Sequence, residues 1–310
     1  MTAAGRVIVF GSLNADITFE VHRLPQAGET VVAGGVRRAS GGKGGNQAYA
    51  AARTSTRPVL MAGAVGDDEA GVSLRDDLST AGVDIGLVRV VEGVSGMAMI
   101  AVDEEGHNVI VVAPGANHVW PEVPALPLEA DDVIVLQLEV PLDVAAQVAR
   151  QAVAHGARVV LNAAPVTPGA DGLLADVDVL VVNEVEATDL LALSTIDAEA
   201  VAAAARERAL AVVVTLGSDG ALVADAEGRV TRVPSFPADA IDTVGAGDAF
   251  VGAFAAALAG GADLVAAARR GAAAGSLTVT VRGARHPGLH PLLVDDLLDS
   301  QPDSPGRTMS

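Results

Sequence analysis

Ile241-Asp-Thr-Val-Gly-Ala-Gly-Asp-Ala-Phe250 joins a polar turn to an apolar helix that continues through Val251–Leu258. Gly245 and Gly247 let the backbone turn tightly and come close to a ligand. The unpaired amides at the start of that helix, with its dipole, favour an anion there. Asp248 is the one ionisable side chain at the junction of turn and helix. An anion cradle beside a carboxylate fits phosphate chemistry with a general base. Read alone, the stretch also fits a glycine-rich turn with Asp248 as a first-turn or N-cap carboxylate.

Working outward, the chain sets this turn at the end of a series of strands. Arg6–Gly11, Val59–Val65, Val133–Gln137, Arg158–Asn162, Val179–Asn183 and Val212–Thr215 are short apolar or β-branched runs, separated for the most part by helical segments. That is the habit of a parallel sheet covered on both faces. In such sheets ligands gather at the carboxyl ends of the strands. Polar residues stand there repeatedly: Asn14 and Asp16, Glu139, Asn162, Asn183, and Thr215-Leu-Gly-Ser-Asp-Gly220. Asn14 and Asp16 fit ordinary Asx turns equally well. Two pairs of strands break the rhythm, Ile17–Val21 with Thr30–Gly34 and Ser95–Val102 with Asn108–Val112, and are expected to build a small separate sheet.

Ser40-Gly-Gly-Lys-Gly-Gly-Asn-Gln47 precedes an Ala-rich helix expected over Ala48–Arg53, and makes a second approachable backbone and local anion site. It is not a Walker A loop, because Lys43 is followed by Gly44. Nor is either glycine stretch a dinucleotide fingerprint, since the third glycine position falls on Gln47 or Phe250. Pro141 suits the first turn of a helix. Two Ala-rich helices are expected at roughly 248–260 and 263–277, and the polar tail Asp299–Ser310, with two prolines, is expected to be disordered.

Composition narrows the function. A chain of 310 residues suits one large domain. Half its residues are hydrophobic but only 2% are aromatic, so the core must be aliphatic. A formal net charge of −19 argues against a nucleic-acid or anionic-membrane surface, so any phosphate site must be local. The absence of cysteine excludes disulfides, thiolate nucleophiles and cysteine-ligated zinc. Met1–Val7 lacks a signal pattern and the Phe250–Ala262 run is too short to span a bilayer, so a cytoplasmic protein is expected. No Gly-x-Ser-x-Gly occurs, and His286 and His290, four apart, are separated by the helix-breaking Pro287 and Gly288. Trp120 and Tyr49 read as packing residues.

Three stretches, Gly11-Ser-Leu-Asn-Ala-Asp16, Gly41-Gly-Lys-Gly-Gly-Asn-Gln47 and Asp242-Thr-Val-Gly-Ala-Gly-Asp248, together resemble the motifs of the ribokinase-like (phosphofructokinase-B type) sugar kinases, in the same order. The resemblance runs from about Arg6 to Leu298. It implies a single domain, a three-layer αβα sandwich with a mostly parallel central sheet, and a small β lid formed by about 15–38 and 94–113. It implies transfer of the ATP γ-phosphoryl group to O5 of D-ribose, giving D-ribose 5-phosphate and ADP. Asp248 then becomes the base, and the amides around Gly245, Ala246 and Gly247 the anion hole. Asn14, Asp16, Gly42, Lys43, Asn46 and Glu139 become sugar-binding. Asn183 and Glu186 match an Asn-x-x-Glu element associated with Mg²⁺ near the phosphates. Thr215, Leu216, Gly217, Ser218, Asp219, Gly220 and Gly247 are expected at the nucleotide, and Ala272 near adenine. A potassium site is implied at the Asp242 carboxylate and the carbonyls of Val244, Thr278, Val281 and Gly283. The family often places a serine ligand where this chain has Pro287. A same-fold kinase of 2-deoxyribose, a nucleoside or a ketose is the alternative; a non-catalytic sensor is a third, which the intact Asp248 disfavours. The lid strands would leave Ile17, Phe19, Met97 and Met99 needing cover, so a lid-to-lid homodimer is expected.

Overall fold

In the computed structural model, which describes residues 5–301, the β-branched runs form strands β1 (Val7–Phe10), β2 (Asn14–Glu20), β3 (Gly35–Gly41), β4 (Val59–Gly66), β5 (Asp84–Val91), β6 (Gly96–Val102), β7 (Asn108–Ala113), β8 (Val133–Leu136), β9 (Arg158–Asn162), β10 (Val179–Asn183), β11 (Ala211–Thr215), β12 (Ala221–Ala224) and β13 (Val230–Val233). The helices are α1 (Lys43–Thr54), α2 (Glu69–Thr80), α3 (Leu142–His155), α4 (Glu184–Leu191), α5 (Ala198–Arg208), α6 (Ala246–Ala259), α7 (Leu264–Thr278) and α8 (Pro291–Ser300).

Nine strands form the main sheet in the order β13-β12-β11-β10-β9-β8-β1-β4-β5. All neighbours are parallel except β11–β12 and β12–β13. Side chains alternate across the sheet, so each run of β-branched residues feeds two cores. Val7, Val9, Val133, Val135, Val179, Val181 and Val213 face one way, into a core completed by residues of α1, α6 and α7. Ile8, Phe10, Ile134, Leu136, Leu161, Leu180 and Val214 face the other, into a core completed by α3, α4 and α5. This is the expected αβα sandwich. Among the described residues no helix is long and apolar enough to cross a membrane.

α6 lies between α1 and α7, and from Asp248 to Ala259 every residue is buried. Small side chains on the faces that meet its neighbours permit that. A Cβ on Gly252 would stand 2.4 Å from the Gln47 carbonyl and 2.7 Å from the Ala50 Cβ. The Ala-rich composition is thus a packing requirement: it brings the backbone of α1 against that of α6.

The second sheet, β3-β2-β6-β7, is the expected lid, with β2 and β6 parallel and the outer pairs antiparallel. Its second strand differs from expectation. Thr30–Gly34 is not a strand; β3 is Gly35–Gly41, paired from Glu20↔Gly35 to Asn14↔Gly41. The alternation in Thr30–Gly34 has no partner to pair with, and Val32 is 89% exposed. The expected helix Ala48–Arg53 also begins earlier, at Lys43. Gly44 and Gly45 lie inside its first turn because α1 starts against β1: a Cβ on Gly44 would be 2.7 Å from the Gly11 carbonyl carbon. Pro141 sits at the N-cap of α3 with extended ψ 129°, one residue before the first turn. At the C-terminus α8 carries the chain through Ser300; the rest of the expected disordered tail, 302–310, lies outside the described residues.

Candidate active site

The three glycine-containing motifs meet at the carboxyl ends of β1, β8, β9 and β10, although they are far apart in sequence. Asp248 is in the first turn of α6, after Gly245, which caps the helix with φ +78°. Gly245 is needed twice, for that backbone angle and because a Cβ would strike the Ala284 carbonyl oxygen at 2.3 Å. Gly247 is different. A Cβ there would meet nothing within 4 Å, so it is open to whatever occupies the space outside the turn. The first-turn amides of α6 have no intrahelical partner. The Ala246 N–H, expected in the anion hole, donates instead to the Thr243 carbonyl at 3.4 Å.

Asp248 is buried and its two oxygens are held by consecutive residues of α1. Asn46 Nδ2 donates to Oδ2 at 3.1 Å, and Gln47 Nε2 donates to Oδ1 at 2.9 Å. Each carboxamide is itself oriented. Arg285 Nε donates to Asn46 Oδ1 at 3.0 Å, and Gln137 Nε2 donates to Gln47 Oε1 at 2.6 Å. Gln47 Nε2 also reaches Asn162 Oδ1 at 3.0 Å, and Asn162 Nδ2 donates to the Val181 carbonyl. Burial pushes the Asp248 carboxyl above the usual carboxylate range; Lys43 and the two amide donors oppose this, and Glu139 adds to it. A carboxylate with raised proton affinity and a fixed orientation suits a general base.

The Lys43 ammonium is drawn by Asp248, Glu139 and Glu186, which together outweigh the opposing effect of burial and raise its pKa. Glu139 Oε2 accepts from the Ser12 hydroxyl and from the Lys43 backbone N–H at 3.0 Å. Asn14 Oδ1 accepts from Asn117 Nδ2 at 2.7 Å, and Asn117 also bonds both the N–H and the carbonyl of Leu13. Burial, reinforced by Glu139, raises Asp16 to about 7 despite Arg285. Gly42, with φ +80°, lets β3 turn into α1. All six expected sugar-site residues therefore lie at the start of α1 or in the segments packed on it.

Asn183 and Glu186 form a reciprocal capping box at the start of α4: Asn183 Oδ1 accepts the Glu186 N–H, and Glu186 Oε2 accepts the Asn183 N–H. Capping accounts for both residues locally. They nevertheless line a cavity of about 130 Å³ together with Lys43, Asn162, Gly245, Gly247 and Asp248. On the other side of the Gly245–Gly247 turn a larger cleft of about 600 Å³ opens. It is lined by the expected Thr215, Gly217, Ser218, Gly220, Gly247 and Ala272, and also by Phe236, Pro237, Phe250 and Ser276. Leu216 and Asp219 do not line it: Leu216 packs against the core under α4, and Asp219 is exposed. The turn of Asp248 thus separates a small pocket holding Lys43, Glu186 and Asp248 from a larger, partly apolar cleft.

Asp242 draws the expected cation loop together. Its Oδ1 accepts the Val244 N–H at 3.0 Å and its Oδ2 the Gly283 N–H at 2.9 Å. Val281 N–H donates to the Thr278 carbonyl at 3.3 Å. Pro287 is exposed and its carbonyl faces Arg53 at 3.5 Å, away from this loop. Among the described residues no cluster of three or more His, Asp or Glu side chains could hold a metal by itself.

Residues not anticipated from sequence are Ser12, Gln47, Asn117, Gln137 and Arg285. Gln47 stands in the second motif, and Gln137 at the end of an expected strand, where the strand-end rule could have found it. Trp120 packs on Phe10 at 5.0 Å between ring centroids, as expected. Tyr49 does more than pack, since it lies under the Arg285 guanidinium.

A family model described as "pfkB family carbohydrate kinase" matches residues 4–290. The chain is 35% identical over 298 residues to the ribokinase of Schizosaccharomyces pombe, covering 90% of this chain and 93% of that one. It is also 35% identical over 287 residues to the deoxyribokinase of Salmonella typhi, covering 89% and 93%. Its fold superimposes on the Arabidopsis thaliana ribokinase solved with ribose and ATP, with a TM-score of 0.86, 33% identity, and coverage of 96% and 99%. The chain belongs to the pfkB family of carbohydrate kinases.

Proposed function

We propose, from that family membership and the site geometry, that the chain is an ATP-dependent D-ribose kinase that phosphorylates O5. The observation that carries the reading is the position of Asp248. It stands at a helix N-terminus, hydrogen-bonded on one side to Asn46 and Gln47 at the start of α1, beside Lys43 and Glu139, and on the other side of its turn a cleft of about 600 Å³ opens. A sugar hydroxyl is a poor nucleophile, so Asp248 orients it and accepts its proton as bonding to phosphorus develops. The Gly245 and Gly247 amides of the turn serve the transferred group, with Ala246 N–H held by the Thr243 carbonyl, and one well-aimed donor of this kind is worth roughly 3 kcal/mol. Asp16, Lys43, Asn46 and Glu139 bind the sugar, with Asn14 and Gly42 shaping the pocket. The nucleotide occupies the cleft beside Thr215–Gly220 and Ala272. The lid, on β2 and β6, covers the sugar and excludes water.

Magnesium would meet Glu186, Asn183 and water rather than an all-protein cage, which agrees with the absence of a carboxylate cluster among the described residues and with the ion's reluctance to dehydrate. The oxygen-only set around Asp242 suits a potassium ion, held without a ligand from Pro287. These ions would supply charge neutralisation at the phosphates and a fixed turn geometry. The acidic, cysteine-free chain fits a cytoplasmic setting. The lid's outer strand β7 is exposed along its length, with Val109, Ile110, Val111 and Val112 each at least half exposed, which supports a lid-to-lid homodimer. A monomer mass by light scattering at working concentration would remove the dimer.

The test is a substrate panel of D-ribose, 2-deoxy-D-ribose, nucleosides and ketoses with coupled ADP detection. We expect D-ribose to have the highest kcat/KM; turnover of another sugar alone would replace it, and binding without turnover would favour a sensor. Asp248→Asn should lower kcat by several orders of magnitude with nucleotide affinity intact. Near-normal turnover of that variant would remove Asp248 from the base role.

A further inference from the structure

Two buried polar atoms at the start of α1 have no hydrogen-bond partner, and they are of opposite polarity: Asp16 Oδ1 and Arg285 Nη2. Both belong to side chains packed on the glycine loop of 41–45. A Cβ on Gly41 would overlap the Asp16 carboxylate, and a Cβ on Gly45 would stand 2.9 Å from Arg285 Nη2. Glycine at both positions is what admits them. Arg285 is held on its other edges. Its Nε donates to Asn46 Oδ1, its guanidinium lies 5.4 Å over the Tyr49 ring, and the Tyr49 hydroxyl donates to the neighbouring His286 carbonyl at 3.1 Å. The guanidinium is thus rigidly aimed, with Nη2 left over.

The two groups do not pair with each other. No ion pair within 4.0 Å joins them, although each feels the other's charge. Arg285 also feels Asp77, Tyr49 and Asp248, and Asp16 feels Glu139 and Asp248. Leaving a buried donor or acceptor unsatisfied is costly, more so when it is charged. An orphan donor and an orphan acceptor packed on the same glycine loop are both satisfied by a single hydroxyl, which donates a hydrogen bond to the carboxylate and accepts one from the guanidinium. A methylene in the same place satisfies neither.

We infer that Arg285 is a further substrate-contacting residue, whose Nη2 grips one ring hydroxyl of the sugar jointly with Asp16 Oδ1 and so selects against sugars lacking that hydroxyl. The inference rests on the sugar-kinase reading above. It differs from a purely positioning role, in which Arg285 would act only through Asn46 on Asp248. The two make different predictions because the grip concerns one hydroxyl, whereas the base serves every acceptor.

The experiment compares the full-length enzyme with Arg285→Gln and Arg285→Lys, using D-ribose and its 1-, 2- and 3-deoxy analogues in a coupled ADP assay. Losing a charge-assisted hydrogen bond predicts that Arg285→Gln raises KM for D-ribose about 10–100-fold. The same substitution should raise KM by less than about threefold for the one analogue that lacks the gripped hydroxyl. Arg285→Lys should recover part of the ribose affinity. An unchanged Tm and nucleotide affinity show that the variants are folded. Because Arg285 Nε also orients Asn46, a loss in kcat common to all four sugars accompanies the substitution and KM is the readout; a rise in KM of the same size with all four sugars, or no rise with any, overturns the grip. If the unsubstituted enzyme turns over no sugar, the kinase reading has failed instead; calorimetric binding of ribose and the analogues to wild type and Arg285→Gln then still decides the grip, by the same selective pattern.

Discussion

Asp16→Asn should make the sugar-free protein more stable, and increasingly so as the pH rises. Asp16 sits on β2, half-buried, and its burial with Glu139 and Asp248 nearby raises it from 3.8 to about 7. For an acid whose folded pKa lies above its unfolded value, the folded state binds the extra proton. The associated stabilisation is fully present below about pH 3.8 and is lost as pH rises through about 7. At about 1.36 kcal/mol per pKa unit the whole interval corresponds to about 4 kcal/mol, of which about 2.6 kcal/mol falls between pH 5 and 8. Water reaching the carboxylate screens part of this, so we expect about 1–3 kcal/mol. Urea unfolding of wild type and Asp16→Asn at pH 5 and pH 8, without sugar, measures it. Groups that titrate alike in both proteins cancel in the difference. The stability advantage of Asp16→Asn should grow by that amount from pH 5 to pH 8 at constant m value, while sugar affinity falls. An advantage independent of pH, or one that shrinks, refutes the argument that an ionised Asp16 is strained in the free pocket.

Two further substitutions separate stability from catalysis. Asp132, at the opposite end of the strands, accepts from the Arg6 backbone N–H at 2.9 Å, from Arg6 Nε at 3.1 Å and Nη2 at 2.6 Å, and from the Glu129 N–H at 2.9 Å. Burial alone would raise its pKa, but the Arg6 bonds outweigh that and hold it below the carboxylate range. Asp132→Ala should therefore cost about 3 kcal/mol in urea unfolding, with kcat per folded molecule unchanged; a change in kcat would contradict its remoteness from the site. Gly252→Ala forces a Cβ into the Gln47 carbonyl, so it should cost about 1–3 kcal/mol and also lower kcat, because Gln47 holds Asp248. Normal kcat with reduced Tm would show that the site tolerates a shift of α1 against α6.

The layers of the fold were legible because their physics is local. β-branched runs bounded by helical segments specify a covered parallel sheet, and the six runs read as its strands are β1, β4, β8, β9, β10 and β11. Lid strand β3 was misplaced because alternation says nothing about partners: Val32 alternates correctly but pairs with nothing, while Arg37 and Arg38, unpromising by composition, pair with Thr18 and Ile17. The start of α1 was missed for a related reason. Glycine is a poor helix former, and it stands here because Gly11 and Ser12, at the end of β1, lie too close to Gly44 for a side chain, and Arg285 and Leu13 too close to Gly45. Asp248, Lys43 and Glu139 could be named from strand ends and motif. Arg285 could not, since nothing in Arg285-His-Pro-Gly288 reveals that α7 returns this segment to α1. Glu186 shows the opposite limit: its pattern is met by a capping box, so sequence and local geometry leave its further role to experiment.

The dependence between the second and third motifs is physical. Asn46 and Asp248 are 202 residues apart, yet the Asn46 amide contributes to the base only if its NH₂ end faces Asp248. A lone asparagine has no reason to prefer that orientation. Arg285 Nε supplies one by occupying Asn46 Oδ1, and Gln137 does the same for Gln47. With both carboxamide oxygens taken, the two NH₂ groups turn to Asp248, one on each oxygen, and that of Gln47 reaches Asn162 as well. The carboxylate keeps lone pairs free for a proton but loses the freedom to rotate. The small residues where α1 meets α6 set the distance at which this works, because a bulkier pair would separate donors from acceptor by more than a hydrogen bond spans. The run of alanine and glycine that looks like filler in the sequence is therefore part of what holds the base in its working orientation.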